Sequence, residues 1–145
     1  MIFALNAADD RPIYAQVVDQ VKFAVAAGVL RPGDLVPSVR ELSRGLLINP
    51  NTAARAYRDL QGEGLLAAVR GTGLQVTELA PGRCRAERRE IVRHRLRGAM
   101  EEARRSRLNF DEIEQLIREE WERAQGVAGG NGDVATHPGA IGGQP

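Results

Sequence analysis

Apolar positions recur along the first eighty residues at two different periods. Between residues 11 and 27, Ile13, Val17, Val21 and Val25 return every fourth residue, and Tyr14 and Val18 widen the stripe. That spacing marks one face of an α-helix. Pro12 suits its first turn, where a missing N–H costs nothing. Gly28 suits the position just past its end. Leu30-Arg31-Pro32-Gly33-Asp34 then has the composition of a turn.

Two start signals follow. Ser38-Val39-Arg40-Glu41 has capping-box spacing, with Ser38 as N-cap and Glu41 three residues on. It predicts a short helix to about Leu46 with Val39 and Leu42 inward. Asn49-Pro50-Asn51-Thr52 opens another, with Asn49 as cap and Pro50 at the first helical position. This third helix reaches about Gly62, with Ala53, Ala56 and Leu60 inward and Tyr57 read as core. After Gly64 the helical period stops. Leu65–Val69 and Leu74–Thr77 flank Arg70-Gly71-Thr72-Gly73, the pattern of a hairpin about a glycine turn. Helix, helix, turn, helix, hairpin is the order of a winged helix-turn-helix, expected over residues 1–79.

Ala80-Pro81-Gly82 reads as a linker, assigned to 80–84. A helix from about Arg85 to Arg107 then lines up Val92, Leu96, Ala99, Met100 and Ala103, with Gly98 as a weak point. Asn109 and Glu112 form another box, with Leu108 and Ile113 at staple spacing. The last helix carries Phe110, Ile113, Leu116, Ile117, Trp121 and Ala124. The fold class expected is therefore α+β and mostly helical, the winged domain being followed by a two-helix hairpin at 85–125. Each helix of that hairpin has an apolar stripe and no domain of its own to cover. A second copy is the most economical partner, and Val92, Leu96, Met100, Ile113, Ile117 and Trp121 are the expected dimerisation residues. From Gly126 on, seven of twenty residues are glycine and none is aromatic, so 126–145 is expected to be disordered. No internal repeat is visible.

Composition narrows the function classes. The chain has 145 residues, 43% hydrophobic but only 4% aromatic, which favours a core of Val, Leu, Ile and Ala. A net charge of +1 announces no polyanion partner. The distribution is less even: residues 83–97 hold seven arginines against Glu87 and Glu90. Lys22 is the sole lysine, a bias that reflects a GC-rich genome before it reflects function. One cysteine, Cys84, can make neither an internal disulfide nor a thiolate metal cluster, and it fits a reducing compartment. Residues 1–10 lack the basic start of a signal peptide. No run approaches the ~18 apolar residues of a membrane span. A cytoplasmic protein is expected, with no cofactor, no metal and no membrane partner.

The helix pair carries the chemistry. The second helix of a helix-turn-helix lies in the major groove, about 12 Å wide, with its first residues at base edges. Here those residues are Asn49, Asn51 and Thr52, with Arg55 and Arg58 further along. Asn makes a bidentate contact with adenine, Thr bonds a base or packs on a thymine methyl, and Arg reaches phosphate or guanine. Ser38 and Arg40 are placed to hold the backbone. At the wing tip, Gly71 and Gly73 allow a close approach that brings Arg70 to a minor groove. Each residue also has a plainer reading. Asn49 and Ser38 are caps, Arg40 can pair locally with a carboxylate, Asn51, Thr52 and Arg55 can be a solvated face, and the glycines serve the turn. The order and spacing of the whole set, rather than any member, point to DNA.

Taken together, Pro12-Ile13-Tyr14, the run from Pro32 to Ser43, Asn49-Pro50-Asn51-Thr52-Ala53-Ala54-Arg55-Ala56-Tyr57, Glu63-Gly64-Leu65 and Arg70-Gly71-Thr72-Gly73 resemble the GntR family of bacterial regulators. The Asn-Pro-Asn-Thr and Arg-Ala-Tyr pieces, with a short helical C-terminus, resemble its YtrA subfamily. The resemblance covers residues 10–77. It implies a homodimer on an inverted-repeat operator that represses its own operon, often one with ABC transporter genes. It also implies DNA contacts by Arg40, Asn51, Thr52, Arg55 and Gly71. Gln75 departs from it, standing where the wing usually carries an aromatic, as do Ala53 for a common valine and Gly62 for a common charged residue.

Enzymatic readings lack parts. His94 sits in an Arg-rich helix and His137 in the tail. Arginines beside Cys84 tend to lower a thiol pKa, but no acid or His partner is placed for it. Glu119, Glu120 and Glu122 read as a solvated face. Any small-molecule effector must sit between subunits or domains, because so short a hairpin hardly encloses the ~300 Å³ of a metabolite pocket. The alternative to a DNA-binding regulator is an interaction module that uses the C-terminal helices, with DNA binding weak or lost.

Overall fold

The computed structural model describes residues 3–129. In chain order the elements are α1 (Ile13–Ala26), α2 (Val39–Leu46), α3 (Pro50–Gly62), β1 (Leu66–Val69), β2 (Gly73–Val76), α4 (Ala80–Arg105) and α5 (Phe110–Gly129). They fall into two compact units, residues 1–95 and residues 96 onward.

In the first unit α3 packs against both α1 and α2. The inward stripes close one core: Val17, Val21 and Val25 from α1, Leu42 from α2, and Ala53, Ala56, Tyr57 and Leu60 from α3. Leu42 and Leu60 are wholly buried, and each contributes about 1.5–3 kcal/mol by leaving water. Ile13 does not join them. It starts α1 and stays 40% exposed. Phe23, also on α1, is exposed on one side and covered on the other by Arg88, whose guanidinium lies 5.0 Å from the ring centre.

The wing is an antiparallel pair with Leu66 opposite Val76 and Val69 opposite Gly73. A further bridge joins Leu35 to Gln75, and Val36 N–H donates to the Leu74 carbonyl at 3.0 Å. The backbone of Gln75 is thus paired on both sides without the aromatic expected there. Gly71 (φ +76°) and Gly73 (φ +134°) take conformations that L side chains rarely adopt, with open space around both. The turn requires glycine for its backbone and not for room.

Residues 80–84 are not a linker. α4 begins at Ala80, so Pro81 and Gly82 lie in its first turn, where Pro lacks no needed donor. Ala80 and Cys84 are buried in the core of the first unit, and this burial carries the helix back past the expected break. Arg83 donates to the Glu63 carbonyl at 2.6 Å, at the C-terminal end of α3. Lys22, on α1, is nearly buried and bonds Glu63 and Glu87 at 3.0 Å each. Burial alone lowers an ammonium pKa, but the hydrogen bonds that Lys22 donates to the two carboxylates outweigh it and the net shift is upward. Cys84 behaves opposite to the arginine argument. Burial first, then the charge of Glu87, pushes its thiol up, so it is a poor nucleophile.

In the second unit the Asn109 box forms in both directions. Glu112 N–H donates to Asn109 Oδ1 at 3.0 Å, and Asn109 N–H to Glu112 Oε2 at 2.9 Å. Ile113 is buried and Leu108 half-buried. α5 continues to Gly129, past the expected start of the tail at Gly126. The rest of that expectation, at 130–145, lies outside the described residues.

Candidate nucleic-acid interface

Both helix starts of the helix-turn-helix are built by local hydrogen bonds. Ser38 Oγ accepts from the Glu41 N–H at 3.1 Å. Asn49 Oδ1 accepts from the Asn51 N–H at 2.8 Å. Each cap satisfies an orphan donor and fixes where its helix begins. Because Asn49 begins α3, Asn51 and Thr52 fall in its first turn.

The other face of α3 sets their direction. Ala53, Ala56, Tyr57 and Leu60 are buried, so Asn51, Arg55 and Arg58 are turned to solvent, with Thr52 half-covered. Alanines at 53 and 56 let α3 lie close on its neighbours. Tyr57 passes through the core, and its hydroxyl donates to the Pro37 carbonyl at 2.5 Å. That bond ties α3 to the residue before the α2 cap. Burial, then the charge of Glu41, raises the Tyr57 phenol pKa.

Ser38 and Arg40 are exposed at the start of α2. Arg70, Gly71 and Gly73 are exposed at the wing tip. A cleft of about 620 Å³ is lined by Ser38, Val39 and Glu41 on one side and Thr72, Gly73 and Leu74 on the other. The α2 start and the wing therefore border one recess. Among the described residues, none of Arg40, Arg55, Arg58 and Arg70 is paired with a carboxylate. Arg11 differs, held by Asp9 and Asp19 with its pKa raised by hydrogen bonds to both. The local pairing considered for Arg40 is not made. Arg55 has an aromatic neighbour instead: its guanidinium carbon stands 3.7 Å from the centre of the Tyr14 ring. The Pro12-Ile13-Tyr14 motif placed Tyr14 in the sequence, but nothing local connects it to a residue 41 positions on.

The six expected dimerisation residues are placed differently from one another. Ile113 is buried within the second unit. Val92, Leu96 and Ile117 are about half exposed and Trp121 is 67% exposed, with Met100 intermediate. Phe110 and Leu116 are exposed as well.

Among the described residues no group of His, Cys, Asp and Glu is placed to hold a metal ion. No described helix is long and apolar enough to cross a membrane.

Comparison with known proteins agrees with this geometry. Residues 13–76 match the model of "Bacterial regulatory proteins, gntR family". The chain is 32% identical over 108 residues to the HTH-type transcriptional repressor YtrA of Bacillus subtilis, a match covering 74% of this chain and 83% of that protein. Among solved structures, a transcriptional regulator from Oenococcus oeni superposes with a TM-score of 0.67 at 29% identity, covering 79% of this chain and 95% of that one. YtrA from Sulfolobus acidocaldarius, a GntR-family transcription factor, gives a TM-score of 0.51 at 33% identity, covering 66% of this chain and 98% of that one. These relatives are transcription regulators. With a capped recognition-type helix, a glycine wing and this similarity along most of its length, the chain belongs to the GntR family of DNA-binding bacterial regulators and is YtrA-like within it.

Proposed function

We propose that this chain is a cytoplasmic, sequence-specific repressor that binds an inverted-repeat DNA site as a homodimer. The observation that carries the reading is the two-sidedness of α3. Its inner face is fully buried, while Asn51, Arg55 and Arg58 project from the outer face with no carboxylate to satisfy the arginines. Asn51 and Thr52 read base edges, Arg55 and Arg58 bond the walls of the groove, and Ser38 and Arg40 anchor the backbone at the start of α2. Arg70 reaches beside the wing tip, where Gly71 and Gly73 carry no side chain to obstruct DNA.

Homodimerisation rests on a different observation. Leu96, Leu116, Ile117 and Trp121 leave the C-terminal helices with an apolar surface that one copy does not cover. Exposed apolar surface of this kind supports an interface there. Charge supports self-association too. Residues 110–125 carry six carboxylates against two arginines, opposite in sign to the arginine-rich 83–97 segment. A two-fold dimer demands a two-fold site. Repression follows by analogy with the repressor YtrA of B. subtilis.

Selection from a random duplex pool tests this reading. The expected product is a palindrome whose half-sites lie about one helical turn, or a multiple of it, apart. A pool with no enriched motif, or a single unrepeated half-site, contradicts it.

A further inference from the structure

The Tyr14–Arg55 pair has a geometry that stability alone does not require. Arg55 is exposed and has no carboxylate partner among the described residues. A free arginine side chain samples many rotamers, and binding must freeze them. Here the guanidinium lies 3.7 Å from the Tyr14 ring centre. Stacking occupies one flat face of the group. Its N–H donors lie in the plane and point outward, so a stacked arginine keeps its bidentate edge. Arg11, close by in sequence, is neutralised by Asp9 and Asp19.

Position decides what the edge meets. Arg55 is four residues after Asn51 on α3, hence on the same side, one turn deeper. Tyr14 belongs to α1. Leaning on it draws the guanidinium toward the α1 side of α3. In a major groove the base edges form the floor and the phosphates form the walls.

We propose that Tyr14 is a positioning residue for DNA binding: its ring holds Arg55 ready as a bidentate clamp on a backbone phosphate beside the bases that α3 reads. The proposal rests on the assignment of α3 as the recognition helix. It gives the tyrosine of the Pro12-Ile13-Tyr14 motif a role in affinity. An ordered arginine loses less freedom on binding, so the clamp acts before DNA arrives.

The test is a double-mutant cycle on the full chain, read by fluorescence anisotropy. The probe is a labelled duplex of roughly 30 base pairs enriched from a random pool by the wild-type protein. Arg55→Gln should weaken binding about tenfold and flatten the salt dependence by about 0.9 per subunit, one phosphate contact each. Tyr14→Leu should weaken it about three- to tenfold, and Tyr14→Phe, which keeps the ring, should restore it. In the Arg55→Gln background, Tyr14→Leu should add nothing. Equal losses from Tyr14→Leu with and without Arg55, or no loss at all, overturn the proposal, as does an unchanged salt slope in Arg55→Gln. Urea unfolding of each variant separates a folding defect, which the second background would not remove. Asn51→Ala in the same assay separates the two levels: if it alone relaxes sequence preference, only the clamp has failed. If it binds like wild type, the recognition-helix assignment has failed.

Discussion

The Tyr57 hydroxyl donates to the Pro37 carbonyl at 2.5 Å, joining the middle of α3 to the residue before the α2 cap. The bond ties α3 to the segment that leads into α2. Tyr57→Phe should cost about 1–2 kcal/mol, the value of a buried carbonyl left without its donor. The same bond has an alkaline signature. Burial and Glu41 raise the phenol pKa above its ordinary value of 10.0. The native state therefore holds this proton longer than the unfolded chain does. Its contribution is complete below pH 10.0 and is lost as the pH rises beyond it. Urea midpoints above that pH should fall more steeply for wild type than for Tyr57→Phe. Parallel curves would remove Tyr57 from the account.

Lys22 holds Glu63 and Glu87, which lie 41 and 65 residues away in the chain. Its side chain is nearly buried, while both carboxylates remain about half exposed. Removing the lysine leaves two glutamates that water can still reach. Lys22→Met should therefore cost about 1–2 kcal/mol, less than the 3–5 of a wholly buried broken pair. Glu87→Gln should cost under about 1 kcal/mol, because Glu63 remains. Its raised pKa means that the lysine's contribution is full below the ordinary 10.5 and fades above it. Chemical denaturation of the two variants checks the order. A larger loss from Glu87→Gln would reverse the assignment of Lys22 as the central member.

Leu47 ends α2 in a left-handed conformation, φ +55°, and is 91% exposed. A β-carbon is unfavourable there, and the side chain buries nothing in return. Leu47→Gly should raise stability by roughly 0.5–1 kcal/mol, after allowance for the extra freedom of glycine in the unfolded chain. Equilibrium unfolding measures it directly. A loss would mean that Leu47 packs on a surface absent from a single chain.

How far these relationships were legible depends on their range. The caps Ser38, Asn49 and Asn109 act within three residues, so local spacing reveals them, and α2, α3 and α5 start where they place them. The core stripe of α3 was legible for the same reason. The start of α4 was not. Pro81 and Gly82 are turn residues locally, and only the burial of Ala80 and Cys84 in a distant core makes them helical. Lys22 with Glu87, and Tyr14 with Arg55, are contacts across the fold with no periodic signature. The candidate DNA-contact residues could be listed from the sequence, whereas the aromatic neighbour of Arg55 could not.

Trp121 is the only tryptophan, so its fluorescence reports on α5 alone. It is 67% exposed in one copy. If two copies pair through these helices, its emission should be blue-shifted at micromolar concentration and move red on dilution. Ile117→Glu, beside it on the apolar stripe, should give the red-shifted spectrum and a monomer by sedimentation. A wild-type spectrum fully red at every concentration would exclude Trp121 from the interface. Where the dimer covers Trp121, the cost of Trp121→Ala, about 3–5 kcal/mol for a buried tryptophan, should appear in the dimer and not in the monomer.

The central claim is that the first turn of α3 reads base sequence, and the ratio of affinities for the selected palindrome and for random DNA measures it. Asn51 is exposed one residue past Pro50, with its own N–H held by Asn49. Loss of a base-edge contact costs about 1–3 kcal/mol per half-site, whereas loss of a phosphate contact weakens every sequence alike. Asn51→Ala should therefore shrink that ratio at least about fivefold per half-site while leaving random-DNA affinity within about twofold of wild type. Arg40→Ala should do the reverse, lowering both affinities together and flattening the salt dependence. An Asn51→Ala protein with the wild-type ratio would contradict the account.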